Sequence, residues 1–366
     1  MATLDGIRVI DLSRLLPGPM CTWYLGGMGA VVVKVEEPGK GDYLRFSPPY
    51  CSDGQGAWFS SLNSGKRSVA LNLKNPTHLD ALHALLAEAD VLVESFRPGV
   101  MARLGLHPEA LRERYPRLVI CSITGFGQDG PMADLPGHDL GYMAVTGGLS
   151  LGTRREGVPD MPGIQVADTA AGALMAAFRI CAALVERGRT GAGAWLDVAM
   201  TDGVLSLMAP AFAGMAASGE VPSPGAEPLS GGVPNYRLYR CQDGGVIALA
   251  ALEPKFWNSL CAAIGEDVPM DGEGIAKLIT TRDRDTWADL LGPSCVNAML
   301  ELPELPHHPH HQARGMFVGE GVDQRVRPPF PGGAACAVQP APTLGAHTNE
   351  ELRSVGFDPD RLEDTP

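Results

Sequence analysis

Three residues of this 366-residue chain join a titratable side chain to a setting that could use it. His138 stands in Gly137-His138-Asp139, just after the glycine-rich stretch Thr124-Gly125-Phe126-Gly127-Gln128-Asp129-Gly130-Pro131. Asp168 lies where Gly163-Ile164-Gln165-Val166-Ala167 meets the start of an apolar helix, and Glu253 closes the apolar run Val246 to Leu252 ahead of Pro254. An imidazole and two carboxylates are the inventory of general acid/base work near neutral pH. Each also has a plain structural reading: Asp168 as a helix N-cap, His138 in a turn, Glu253 opening a helix. Spacing alone leaves both readings open.

Other chemistries fit the residues less well. The turn after the first strand is Ser13-Arg14-Leu15-Leu16-Pro17-Gly18-Pro19, which is not GxGxxG. Gly26, Gly27 and Gly29 are expected to end the following helix, so they offer no amides to a pyrophosphate. The cluster His307-His308-Pro309-His310-His311 has a proline where helical geometry would pair its imidazoles, and no acidic ligand beside it. It reads as a surface turn, so no metal is expected. A nucleophilic serine with His and Asp partners is not expected.

The elements that must position these groups follow from periodicity. Strands are expected at Ile7 to Leu12, Ala30 to Val35, Val69 to Leu73, Val91 to Val93 and Leu118 to Ile123. Helices are expected at Pro19 to Leu25 and at Pro76 to Ala89, where Leu79, Leu82, Leu85 and Leu86 share a face. Strand and helix in alternation predict an α/β fold, a doubly wound Rossmann-like sheet that binds ligands at the carboxyl ends of its strands. Next come a small-residue-rich helix from Ala170 to Arg187, a strand Trp195 to Val198 and a helix from Thr201 to Met215. Gly, Pro and Ser then crowd residues 218–234, which predicts a linker. Beyond it, Tyr236 to Tyr239 and Val246 to Leu252 read as paired strands around the turn Gln242 to Gly245, followed by a helix Lys255 to Ile264. A second Pro-rich stretch begins at Pro328. The expected organisation is a large domain over 1–217, completed by 340–366, with a smaller α+β domain at 235–327 inserted through linkers 218–234 and 328–339.

Composition sets bounds on partners. Forty-two acidic against 29 basic residues give a net charge of −13, which repels nucleic-acid backbones. Gly 45 and Pro 31 are spread without a three-residue period, so they mark turns and not collagen. The eight cysteines form no CxxC pair and read as reduced thiols of a cytoplasmic protein. No run of 18 apolar residues is present, so no membrane span is expected. Neither the N-terminal Met1 to Gly6 nor the C-terminal Glu363 to Pro366 carries an address signal.

Several stretches together carry a family resemblance: Leu4-Asp5-Gly6-Ile7-Arg8-Val9-Ile10-Asp11-Leu12, Pro17-Gly18-Pro19, Gly29 to Glu36, Leu62-Asn63-Ser64-Gly65-Lys66-Arg67-Ser68, Ala89 to Gly99 and Ala313-Arg314-Gly315-Met316-Phe317. Over nearly its whole length the chain resembles the family III CoA-transferases, the CaiB/BaiF superfamily. That resemblance implies one of two chemistries. In the transferase branch an aspartate matching Asp168 is the nucleophile and forms an aspartyl-CoA anhydride beneath a run of glycines, of which this chain keeps only Ser230-Gly231-Gly232. In the α-methylacyl-CoA racemase branch, residues matching His138 and Asp168 are the acid/base pair and one matching Glu253 supports the histidine. All three types occur here in order, which favours the racemase branch. A non-catalytic acyl-CoA-binding homologue is the remaining reading.

The resemblance also implies a CoA site at Leu71, Asn72, Leu73, Lys74, Ser95, Phe96, Arg97, Arg103 and Asp139, in which CoA enters as part of the thioester substrate and no separate cofactor is required. Lys74, Arg97 and Arg103 supply positive charge for phosphates. Glu37 departs from the pattern, since relatives often place a nucleotide-contacting arginine there. Met270 to Thr281 is short compared with relatives. An interlocked homodimer is implied, and amides at the start of the helix after Asp168 are candidate donors to an enolate oxygen.

Overall fold

The computed structural model describes residues 2–265 and 268–362. Met1 and the C-terminal tetrapeptide, read above for targeting signals, lie outside the described residues. The chain divides into two compact units: Met1–Thr146, Pro162–Leu207 and Pro309–Pro366 form the larger, Gly147–Met161 and Met208–His308 the smaller.

The larger unit is built on six strands: β1 (Arg8–Asp11), β2 (Val31–Glu36), β3 (Arg67–Ala70), β4 (Val91–Glu94), β5 (Val119–Thr124) and β6 (Trp195–Ala199). Their order is β3-β2-β1-β4-β5-β6 and every pairing is parallel. This is the doubly wound arrangement, with its switch of direction between β1 and β4. Such strands are covered on both faces, which is why Val, Ile and Leu run through them almost without alternation. Ile10, Val33, Val69, Leu92 and Ile120 meet Leu82, Leu85 and Leu86 in one core.

Helix α1 (Pro17–Gly27) joins β1 to β2, and α2 (Pro76–Ala87) joins β3 to β4. The start of α2 is fixed by Asn75, whose side chain accepts the Thr77 N–H at 2.8 Å, with Pro76 in the first turn. Two sequence expectations fail here. Helix α1 does not stop before Gly26-Gly27 but runs through them to its cap at Met28; at Gly27 a Cβ would lie 2.4 Å from Pro328, so the glycine permits close packing instead of ending the helix. Strand β3 stops at Ala70, because the Asn72 side chain turns the chain by accepting the Lys74 N–H.

Further along come α3 (Asp139–Val145), α4 (Ala167–Thr190) and α5 (Met200–Leu207). The first eight residues of α4, Ala167–Leu174, are π-helical, and the remainder is α-helical. By length and mean hydropathy α4 would pass as a membrane span, which a search for an unbroken apolar run misses because charged side chains such as Arg179 interrupt it. In this unit it packs on α1, α5 and β5. The single helix expected from Thr201 to Met215 is two, since the chain breaks after Leu207 and restarts at Ala209 with Pro210 in its first turn.

The smaller unit has a three-stranded antiparallel sheet of β7 (Tyr236–Arg240), β8 (Val246–Ala250) and β9 (Val296–Ala298), with β8 central. Helices α6 (Pro254–Ile264), α7 (Gly272–Ile279) and α8 (Arg284–Leu291) cover it. Ile247, Leu249, Leu260, Ile275 and Trp287 form its core, and the Trp287 indole N–H donates to the Ile279 carbonyl at 2.7 Å. The stretch Met270 to Thr281 folds as α7.

The unit bounds differ from those expected from composition. Residues 218–234 are not a free connector: the Gly225 N–H donates to the Leu151 carbonyl at 3.1 Å, which ties this loop to the 147–161 hairpin within the smaller unit. The chain re-enters the larger unit at Pro309 and not near 328. Gly and Pro mark where regular structure stops, whereas packing decides which unit a loop joins.

Candidate active site

The short helix α3 brings three polar side chains to one place. His138 is its N-cap residue, in extended conformation, exposed, with its ring capping nothing. Asp139 follows in the first turn, and its Oδ1 accepts the backbone N–H of Asp168 at 2.9 Å. That bond ties the start of α4 to α3. Tyr142, one turn further on, is buried, and its ring packs edge-on against Phe126 at 5.2 Å between centroids.

Two glycines make room for that ring. A Cβ on Gly125 would lie 2.2 Å from the Tyr142 Cε1, and one on Gly137 would lie 2.4 Å from the same atom. No real side chain tolerates such distances, so the glycine-rich stretch after β5 serves here to let a phenol come close to backbone.

Asp168 is not the N-cap that one reading of the sequence made it. The cap position is Val166, and Asp168 lies inside the first π-helical turn, half-buried. Burial pushes its carboxyl up, and the negative charge of Asp139 pushes it further, to about 7. The Tyr142 phenol is likewise raised to about 12 by burial and then by Asp168, with Arg97 acting in the opposite sense. It therefore stays protonated and can only donate when it meets a base.

The donors expected after Asp168 are occupied. Its own N–H is held by Asp139, and the Thr169 N–H is held by the Gln165 carbonyl at 2.9 Å. By contrast, the N–H groups of Asp139 and Leu140, next to His138, have no partner among the described residues. Glu253 belongs to the smaller unit. It is the N-cap residue of α6, exposed, and its carboxylate caps nothing.

The residues expected to hold CoA lie at the carboxyl ends of the strands. Leu71 to Lys74 follow β3, Ser95 to Arg97 follow β4, and Arg103 lies a short way beyond. Leu71 is buried, while Asn72, Lys74, Arg97 and Arg103 are exposed. The structure adds Arg14, from the loop after β1. Its guanidinium lies 5.1 Å from the Tyr43 ring centroid and 5.7 Å from that of Phe96, and its backbone N–H donates to the Ser95 hydroxyl at 3.3 Å. Glu37 sits in this basic edge. It pairs with Lys40 at 2.9 Å, and that hydrogen bond, aided by the charges of Lys40, Lys74 and Arg14, holds its carboxyl below the usual range. A cue was available: a loop that follows a central parallel strand opens on the ligand edge.

A second polar group lies on the sheet itself. Glu94, Ser122 and Asp197 are register partners across β4, β5 and β6, so they share one face. Glu94 is pushed up to about 7 by burial, and it borders a pocket with Arg97, His107, Gln128 and Trp195. Single buried polar residues in strands of this kind leave no periodic trace.

The sequence profile of CoA-transferase family III matches residues 4–348. The α-methylacyl-CoA racemase of Homo sapiens is 35% identical over 97% of this chain and 94% of its own length. The succinyl-CoA:mesaconate CoA-transferase of Haloarcula marismortui is 36% identical over 80% of this chain and 78% of its own. Among solved structures, a CaiB/BaiF family protein from Brucella suis superposes with a TM-score of 0.84 at 28% identity, covering 97% of this chain and all of that one.

Proposed function

This chain belongs to CoA-transferase family III, and from that membership we propose that it moves a proton at the carbon α to a CoA thioester, racemising a 2-methylacyl-CoA. His138 and Asp168 are the two acid/base groups. Inversion requires a proton to leave from one face and another to arrive from the opposite face. One group alone returns the original configuration; two groups holding one exchangeable proton between them complete the reaction in either direction. The thioester α-carbon loses its proton to the deprotonated member, an enolate forms, and the protonated member delivers to the other face.

The observation that carries this reading is the setting of Asp168. A carboxyl raised to about 7 exists as acid and as base in comparable amounts near neutral pH, as a two-way proton carrier must. An anhydride-forming nucleophile has no use for the protonated form. The racemase relative at 35% identity supports the same choice. The transferase relative at 36% identity keeps the second reading in view, with Asp168 as nucleophile.

CoA itself is placed on the strand-end edge, with Arg14, Lys74, Arg97 and Arg103 for its phosphates, Asn72, Ser95 and Asp139 for its polar groups, and Leu71, Leu73 and Phe96 for apolar contact. No cofactor besides the CoA of the substrate enters this scheme. The expected homodimer is supported by α4, which leaves Leu174, Phe178 and Val185 exposed along one side. The eight free thiols support a cytoplasmic location.

The deciding experiment follows the α-proton of (R)- and (S)-2-methylacyl-CoA thioesters of several chain lengths in D2O by NMR. Exchange with loss of stereochemical purity is the expected result. No exchange with any of them overturns the racemase reading. A hydroxylamine-sensitive adduct on Asp168 points to the transferase, and tight binding with neither outcome points to a non-catalytic binder.

A further inference from the structure

The loop that leaves β3 carries Asn72, Leu73 and Lys74 to the proposed CoA edge, and a histidine of the next helix holds it there. We propose that His78, on α2, is a positioning residue for CoA binding: its Nδ1 fixes the Asn72 backbone, and Asn72 sets where Lys74 stands. The inference deepens the placement of CoA given above and rests on it. It does not depend on which reaction the bound thioester undergoes.

Strand β3 is an edge of the larger sheet, so alternate N–H groups face away from β2. Leu71 donates inward, to the Glu36 carbonyl at 2.9 Å. The outward N–H groups of Ser68, Ala70 and Asn72 each find a side chain. Ser68 donates to His347 Nδ1 at 3.1 Å, Ala70 to Thr348 Oγ1 at 3.0 Å, and Asn72 to His78 Nδ1 at 3.1 Å. The first two bonds bring the C-terminal part of the chain against the strand. The third joins residues only six apart and closes the loop on itself.

Asn72 is the hub of that loop. Its side-chain oxygen accepts the Lys74 N–H at 3.1 Å, and its carbonyl accepts the Asn75 N–H at 2.9 Å. Its own N–H goes to His78, so three of its polar groups shape the turn. His78 is itself fixed in the first turn of α2, where its N–H reaches the Asn75 side chain at 3.4 Å. A backbone N–H only donates, so His78 Nδ1 carries no proton and the neutral ring keeps its proton on Nε2. Without this bond the Asn72 N–H is left to water, and the loop has to be ordered as CoA arrives. That ordering weakens binding and leaves the proton-transfer groups untouched.

The test pairs binding of coenzyme A with hydrogen exchange of the loop amides, both in the full chain. His78→Leu removes the acceptor, whereas His78→Asn places an oxygen where Nδ1 stood. His347→Ala removes the same kind of bond from the same strand edge, away from the CoA loop. In His78→Leu the amides of Asn72 to Asn75 should exchange faster. Its Kd for coenzyme A, by calorimetry, should rise by roughly three- to tenfold, the size of one hydrogen bond. KM for a 2-methylacyl-CoA should rise with it while kcat stays. His78→Asn should restore all three, and His347→Ala should leave the Kd as it was. Thermal melts check that each variant keeps its fold. A Kd unmoved in His78→Leu, or moved as far by His78→Asn or His347→Ala, overturns the proposal. The expected Kd changes in a chain without α-proton exchange would uphold it and sink the racemase reading instead. No binding of coenzyme A by the unaltered chain overturns the CoA placement and the proposal together.

Discussion

Two aspartates of the larger unit, Asp11 and the half-buried Asp168, live in opposite surroundings. Asp11 ends β1 and is fully buried. It accepts from the Ser13 N–H at 2.9 Å, the Ser13 hydroxyl, the Thr22 hydroxyl at 2.6 Å and the Lys66 ammonium at 3.1 Å. Lys66 in turn donates to Thr22, to the Asn63 side chain and to the Pro19 carbonyl. Burial works against the Asp11 charge, but Lys66 and Lys34, with the two hydroxyls, hold its carboxyl far below the usual range. Every acceptor site is used. Asp168 has burial without that compensation, and a like charge beside it. A buried carboxylate with all its partners holds the fold, whereas one short of partners is free to trade a proton.

The sharpest way to break this contrast is to make the same change at both places. Asp168→Asn should lower α-proton exchange by about a thousandfold or more, as loss of a general acid/base does, measured in D2O by NMR. Asp11→Asn should leave the exchange chemistry intact in whatever fraction stays folded. If the two variants lost exchange alike per folded molecule, the division of roles would be wrong.

Next in size is stability. Asp11→Ala leaves Lys66 buried without its ion-pair partner, and should cost about 3–5 kcal/mol in urea unfolding. A loss below 1 kcal/mol would mean that the network is ornamental. Smaller still, and opposite in sign across the two sites, is the pH dependence. The Asp11 carboxyl is depressed in the folded state, so its stabilising contribution is fully present above about pH 5 and fades as the pH falls through about 4 and below. The Asp168 carboxyl is raised, so the folded state holds its proton more tightly, and that contribution is lost as the pH rises from about 4 through 7. Unfolding midpoints taken from pH 4 to 8 should therefore fall less steeply in Asp168→Asn than in the unaltered chain. At pH 8 that variant should be the more stable by on the order of 1 kcal/mol, once solvent screening is allowed for.

Much of this was legible in the sequence, for identifiable reasons. The β-branched runs and the leucine spacing of α2 announced the doubly wound sheet, because covered parallel strands and amphipathic helices leave periodic marks. His138, Asp168 and Asp139 stood out by type and neighbourhood. The sequence could not reveal that Asp139 binds the Asp168 backbone, because a contact between residues 29 positions apart leaves no local mark. Tyr142 escaped for the same reason: the glycines that admit it read as turns. The π-helical start of α4 was also invisible, since Ala, Gly and Leu suit either kind of helix.

That π-helical start has a consequence for how the chain can change. A π turn holds roughly one more residue than an α turn, so the start of α4 absorbs a surplus residue while Asp168 keeps its aim. Removing one residue between Thr169 and Leu174 would let the turn close to the α form with Asp168 facing nearly its old direction, whereas removing one from the α-helical remainder would swing Asp168 by about 100° relative to the residues beyond the gap. Every side chain would survive such a deletion, and the composition would barely alter. The direction of the carboxyl is thus stored as arithmetic along the backbone, a quantity that substitutions leave untouched and single-codon losses erase.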